Sequence, residues 1–184
     1  IYIIMNIRSL ILLCFIYSSS PFLAAEDVTV DYQYLGNHNT DFSNIRVSLS
    51  VGEITDGRNT DDPKLITEDY LAENPLTDIV RDALIQGFEH GGAMLVPDSG
   101  DMKLVGRINS SEAQVVDREG VASIQLTIRT NVQLQGRGRT IWETTLFGRG
   151  VVPASEGIVA AVHRSMDRMI RELVNDDYFL IELN

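Results

Sequence analysis

The sequence predicts an α+β fold, a mostly antiparallel sheet of about four to five strands with two helices packed on one face. Three observations carry this. From Ala122 to Gln135 apolar and polar residues alternate, with Thr130 standing in the apolar row, the mark of a strand with one dry and one wet face. Two further stretches, opening near Asn74 and Ser155, repeat apolar residues every three or four positions and so form one stripe each. Single-stripe helices and a single-faced sheet satisfy one another when the helices cover the dry face.

In chain order, Asn6-Ile7-Arg8 is a short basic start, Leu10 to Tyr17 is apolar, and small residues ending at Ala24-Ala25 precede the acidic Glu26-Asp27. That layout predicts a secretory signal over 1–25, with Met5 as the true start and Ala25 the last residue removed. The working protein is then periplasmic or secreted. The alternative, a retained anchor facing the periplasm, needs about 20 apolar residues, and Ser18-Ser19-Ser20-Pro21 cuts the run short. Cys14 is the single cysteine and falls within this segment. Lipid attachment there would want a small residue before it, and Leu13 is large. The domain over 26–184 therefore carries no disulfide or thiolate site and is held by its core.

Val28, Val30, Tyr32 and Tyr34 alternate with Thr29, Asp31 and Gln33, which predicts a strand ended by Gly36-Asn37-His38-Asn39. Ile45, Val47, Leu49 and Val51 predict a second. The segment 53–73 is strongly acidic (Glu53, Asp56, Asp61, Asp62, Glu68, Asp69, Glu73) and reads as a solvated loop. It lacks the alternating aspartates of a calcium loop. Asn74-Pro75 opens a helix, asparagine as cap and proline in the first turn. Its stripe is Leu76, Ile79, Val80, Ala83, Leu84, Gly87 and Phe88, and Gly91-Gly92 ends it. Met102, Leu104, Gly106 and Ile108 begin a third strand, with a turn at Asp117-Arg118-Glu119-Gly120. The alternating strand follows, then a hairpin turn at Gly136-Arg137-Gly138-Arg139 and a strand from Ile141 to Phe147. Ser155 is placed to cap the second helix, whose stripe is Val159, Val162, Met166, Met169, Ile170 and Leu173. Arg164, Arg168 and Arg171 lie outside that stripe. The tail from Tyr178 to Leu183 packs back or adds an edge strand.

The chain has 15 basic and 26 acidic residues, a net charge of −11. A polyanion such as DNA or RNA is repelled at long range, so a nucleic-acid partner is not expected, and attachment to anionic membrane surfaces is disfavoured. His38, His90 and His163 have no metal-site spacing, and the last two read as structural. No nucleophile elbow is present, and the glycines around Arg137 and Arg149 lack the lysine and hydroxyl of a phosphate loop. No catalytic, cofactor-binding or metal residue is assigned, and no cofactor is expected. Arg129, Arg137, Arg139 and Arg149 form a candidate basic patch. The wet face of the alternating strand and its turn is the candidate docking surface: Gln125, Thr127, Arg129, Asn131, Gln133, Arg137 and Arg139.

A family resemblance rests on several of these features. They are Ile45-Arg46-Val47-Ser48-Leu49-Ser50-Val51 followed by Asp56-Gly57-Arg58, the helix ending Leu84-Ile85-Gln86-Gly87-Phe88, the alternating strands and the closing helix from Ser155. In these the chain resembles the YajG-type envelope lipoproteins of Gram-negative bacteria, over most of Val28 to Leu173. The resemblance implies an envelope protein without assigned catalytic residues. The cysteine that anchors that family just after its signal has no counterpart here. The element order also looks like that of periplasmic assembly modules, which bind other proteins. The function expected is a non-enzymatic envelope binding or assembly module whose partner is another envelope protein or component. The alternatives are a hydrolase acting on an envelope polymer through paired carboxylates, and a small-ligand carrier with an apolar cavity between helices and sheet.

Overall fold

A computed structural model describes residues 24–36, 38–97 and 100–184. The predicted signal lies outside the described residues but for Ala24 and Ala25, and Met5, Cys14, Asn37 and Ser99 lie outside them too. The elements are β1 (Glu26–Val28), β2 (Leu49–Asp56), β3 (Leu65–Thr67), β4 (Tyr70–Ala72), α1 (Leu76–His90), β5 (Met102–Arg118), β6 (Val121–Gly136), β7 (Arg139–Pro153), α2 (Gly157–Val174) and α3 (Asp177–Glu182). The fold is α+β as predicted, but its strands form two sheets. The main sheet has the order β2-β5-β6-β7, and a small one the order β1-β4-β3.

In the main sheet β5, β6 and β7 pair antiparallel, while β2 runs parallel to β5. A parallel neighbour needs a long return path, and α1 lies on that path in sequence. Strands β5, β6 and β7 are 17, 16 and 15 residues long, about three times the common five to six. Both hairpins close with two-residue turns whose residues have positive φ: 55° and 84° at Glu119-Gly120, 52° and 76° at Arg137-Gly138. Such turns match the twist of the flanking strands, which lets long antiparallel ribbons stay in register.

The predicted alternation of β6 sets the inner face. Leu126, Ile128, Val132 and Leu134 are fully buried, with Leu104 and Ile108 of β5 beside them. The β5 side changes phase between Ile108 and Ser110, where the register shifts by one residue against β6. Helix α1 buries all seven residues of its predicted stripe and lies against β2. Helix α2 buries Ile158, Ala161, Val162, Ser165, Met166, Met169, Ile170, Leu173 and Val174 against β6 and β7. The two helices meet where Gly87 leaves room for Ile170.

On β7, Gly148 and Gly150 bring α2 close to the strand. A Cβ at Gly150 would stand 2.1 Å from the Ala161 carbonyl oxygen, and one at Gly148 2.9 Å from that of Ser165. The tail resolves as α3, which packs back: Phe179 and Leu183 are fully buried, and Asp176 caps the helix by accepting from the Phe179 amide. Phe179 sits 4.9 Å from Trp142 and 5.9 Å from Phe88, ring centre to ring centre.

Several expectations are corrected. Residues 29–34 are buried in the predicted alternation, yet only Glu26–Val28 pairs as a strand. Beyond it the chain crosses the helices, and the Gln86 side chain takes the place of a neighbouring strand: its Oε1 accepts from Tyr34 N–H and its Nε2 donates to Tyr32 C=O. The acidic segment 53–73 is not one loop, because Glu53 and Asp56 belong to β2 and residues 65–72 hold β3 and β4. Arg58 organises it by donating to Asp56 and to the carbonyls of Pro63 and Leu65. Neither predicted side-chain cap forms: Pro75 precedes α1 without one, and a 3-10 turn at Ala154–Glu156 leads into α2, so Ser155 is exposed rather than capping.

Candidate functional site

The face of the main sheet opposite the helices is built from the polar positions of β6 and their partners. Gln125, Arg129, Asn131 and Gln133 are each half-buried on it, while Thr127 is 7% exposed and enclosed by its neighbours. Arg129 donates to Ser110 Oγ at 2.9 Å and to Glu112 Oε1 at 3.1 Å, and its guanidinium lies 6.0 Å from the centre of the Phe147 ring. Asn131 donates to Glu143 Oε1 at 2.9 Å. Asn131 and Gln133 also border a shallow groove with Glu53, Thr55, Arg107 and Asn109. Arg129, Asn131 and Gln133 thus form cross-strand polar pairs, partly satisfied within the sheet and with capacity for more.

The basic patch expected from sequence divides in three. Arg137 and Arg139 sit at the β6–β7 turn, beside Lys103 and Asp101. Arg129 is engaged by Glu112 in mid-sheet. Arg149 instead joins Arg164, Arg168 and Arg171 of α2 around a groove at the outer edge of β7, with Phe147, Val151, Asp167 and Glu172. The helical arginines repeat at four and three residues, so they share one flank of α2. That row was legible in sequence; its union with Arg149 was not, because it depends on how closely α2 rides on Gly148 and Gly150.

The sheet edges are managed differently. On β2, Arg81 donates to the carbonyls of Val51 and Gly52 and covers them. On β7, Glu172 accepts from the Phe147 amide at 3.1 Å. Such side chains occupy the edge groups they meet and blunt the edge at those positions.

The histidines are structural in their contacts. His38 Nε2 donates to the Gly87 carbonyl at 3.1 Å and its Nδ1 accepts from Thr40 N–H at 3.2 Å, so the ring is neutral. Burial pushes its pKa below the ordinary histidine value. His90 stands 5.4 Å from it, and Tyr34 packs against both rings. His163 meets Tyr32 edge-on at 5.5 Å. The Tyr32 hydroxyl donates to Asp167 at 2.9 Å, and burial together with that carboxylate pushes its pKa up. Among the described residues no group of three or more His, Cys, Asp or Glu is arranged to hold a metal ion, and no helix is long and apolar enough to cross a membrane. The acidic side chains of 53–73 are dispersed, and hydrogen bonds from Arg58 hold the Asp56 carboxyl below the usual range. Between helices and sheet, where a carried ligand would sit, the space is occupied by the fully buried Leu104, Ile128, Leu134, Val162 and Met166.

No family model matches the chain, and no curated protein does. Solved structures do. A Xanthomonas campestris protein of the family DUF330 shares the fold with a TM-score of 0.61 and 17% identity, over 82% of this chain and 93% of that one. Looser likenesses include a minor lipoprotein of Acinetobacter baumannii (TM-score 0.44, 14% identity, 71% and 91% covered) and a hypothetical protein of Chlamydia trachomatis (TM-score 0.44, 10% identity, 69% and 92% covered). At these identities the first establishes a common fold, α+β with a long-stranded sheet, and nothing finer.

Proposed function

We propose that this protein is a non-enzymatic binding or assembly module of the bacterial envelope, docking another envelope protein or component through the helix-free face of its main sheet. The observation that carries the reading is that face. Strand β6, flanked by strands of 17 and 15 residues, presents Gln125, Arg129, Asn131 and Gln133 in one row, with a filled core behind it and no covering layer among the described residues. Long strands with a polar open side suit docking better than chemistry, because partly satisfied amides and guanidinia recognise backbone and side-chain polar groups. The envelope setting rests on the predicted signal and on the sequence resemblance to YajG-type lipoproteins, and the lipoprotein among the looser structural likenesses is in keeping with it.

The test is site-specific photo-cross-linking in intact cells, with the probe at Gln125 or Asn131 and a control probe at Glu89 on the exposed side of α1. One envelope component captured from both sheet positions, absent from the control and lost on R129E/R137E charge reversal, is the expected result. Equal capture from all three positions, or capture insensitive to the reversal, would remove the sheet face from consideration.

A further inference from the structure

We infer that the groove between the edge of β7 and α2 is a second binding site, which takes an extended acidic segment of a partner polypeptide. The inference is independent of docking on the open sheet face and stands if that face binds nothing.

Charge comes first. In a chain of net charge −11, Arg149, Arg164, Arg168 and Arg171 converge on one groove, and all four are exposed. Among the described residues none of them is ion-paired, although Asp167 and Glu172 line the same groove. Asp167 is taken up by the Tyr32 hydroxyl and Glu172 by the Phe147 amide. Four guanidinia so placed have donors left for carboxylates, which they recognise in a fork geometry.

The strand edge decides the class of ligand. Phe147 N–H points away from β6 to Glu172, and β7 is the last strand of its sheet. Pairing with β6 is regular from Trp142 to Pro153, so Arg149 and Val151 turn their backbone groups to the same open side. An added strand would hydrogen-bond there. Its alternate side chains would face α2 at intervals of about 6.8 Å, close to the roughly 6 Å axial step between Arg164 and Arg168. Acidic residues at every second position would therefore meet the arginine row, and the residues between them would reach Phe147, which is 45% exposed. A uniformly charged polymer uses neither the edge amides nor Phe147.

The experiment measures fluorescence anisotropy of a labelled (Glu-Val)4 peptide with the purified full chain at low salt, and amide hydrogen exchange in the complex. Saturable binding is expected, weakened about ten-fold or more by R164E/R168E, since two attractive contacts become repulsive. Slower exchange at the Arg149 and Val151 amides is expected alongside. R164Q/R168Q, which removes charge without reversing it, should give an intermediate loss at unchanged melting temperature. A (Lys-Val)4 peptide should not bind. No saturable binding, or binding indifferent to both double variants, overturns the site. Binding of inorganic polyphosphate in preference to the peptide, without protection at Arg149 and Val151, overturns the polypeptide assignment.

Discussion

Replacing Gly150 by alanine tests the contact that joins the helix layer to the sheet. The new Cβ would lie 2.1 Å from the Ala161 carbonyl oxygen and 2.9 Å from both the Ser165 amide nitrogen and hydroxyl oxygen. Two of those three atoms are backbone, so no side-chain rotation relieves the clash and α2 must lift from β7. Overpacking of a core costs about 1–3 kcal/mol, and a backbone obstacle places G150A at the upper end, about 3 kcal/mol. In a chain of this size that is a fall in melting temperature of roughly 6–12 °C. The assay is urea unfolding followed by circular dichroism, with G138A as control. At Gly138 a Cβ meets nothing within 4 Å, and the cost is the positive φ of 76°, about 1 kcal/mol. If G150A unfolds within 1 kcal/mol of the unaltered protein, α2 does not ride on β7 as described. The arginine groove, which depends on that approach, would fall with it.

Two further perturbations read other parts of the molecule. His38 is neutral in the fold with its pKa lowered by burial, so the unfolded chain binds more protons as pH falls through the ordinary value of 6.5. Stability from this site is therefore complete above pH 6.5 and declines below it; the urea midpoint should drop on acidification, and drop less in H38N. An equal drop in both would assign the effect to other groups. Arg58 ties Asp56 to the carbonyls of Pro63 and of Leu65, the first residue of β3, with side-chain exposures of 9% and 17% for the pair. R58A should cost about 1.5–3 kcal/mol and speed amide exchange selectively in β3 and β4, whereas uniform acceleration across the main sheet would contradict a local anchor.

The sequence made some of this architecture legible and hid the rest for identifiable reasons. Periodicity reports which side of an element is dry, so all seven stripe residues of α1 and the inward row of β6 were read correctly. It does not report where a backbone finds its hydrogen bonds. Tyr32 and Tyr34 alternate like strand residues, yet a glutamine side chain from α1 serves them. The length of β5 was obscured at Asn109, where one extra residue shifts the register against β6 and the even-numbered dry row stops: Ala113 and Val115 then oppose Leu126 and Ile124 yet are exposed. β3 and β4 are three residues each, too short for a period to emerge among seven acids. The polar row of β6 was visible as a candidate surface, while the arginine groove was not, since its members meet only through packing between α2 and the last strand.

The strap of residues 29–34 over the helices has a consequence for the order in which the molecule can form. Tyr32 reaches Asp167 across 135 positions of chain, and Tyr34 reaches Gln86 across 52. Synthesis delivers the strap long before its anchor on α2, so this part of the structure cannot mature vectorially with the emerging chain. Contacts of such separation pay their loop-closure entropy late and slow the final step. A segment made before both helices is thereby fastened only after them.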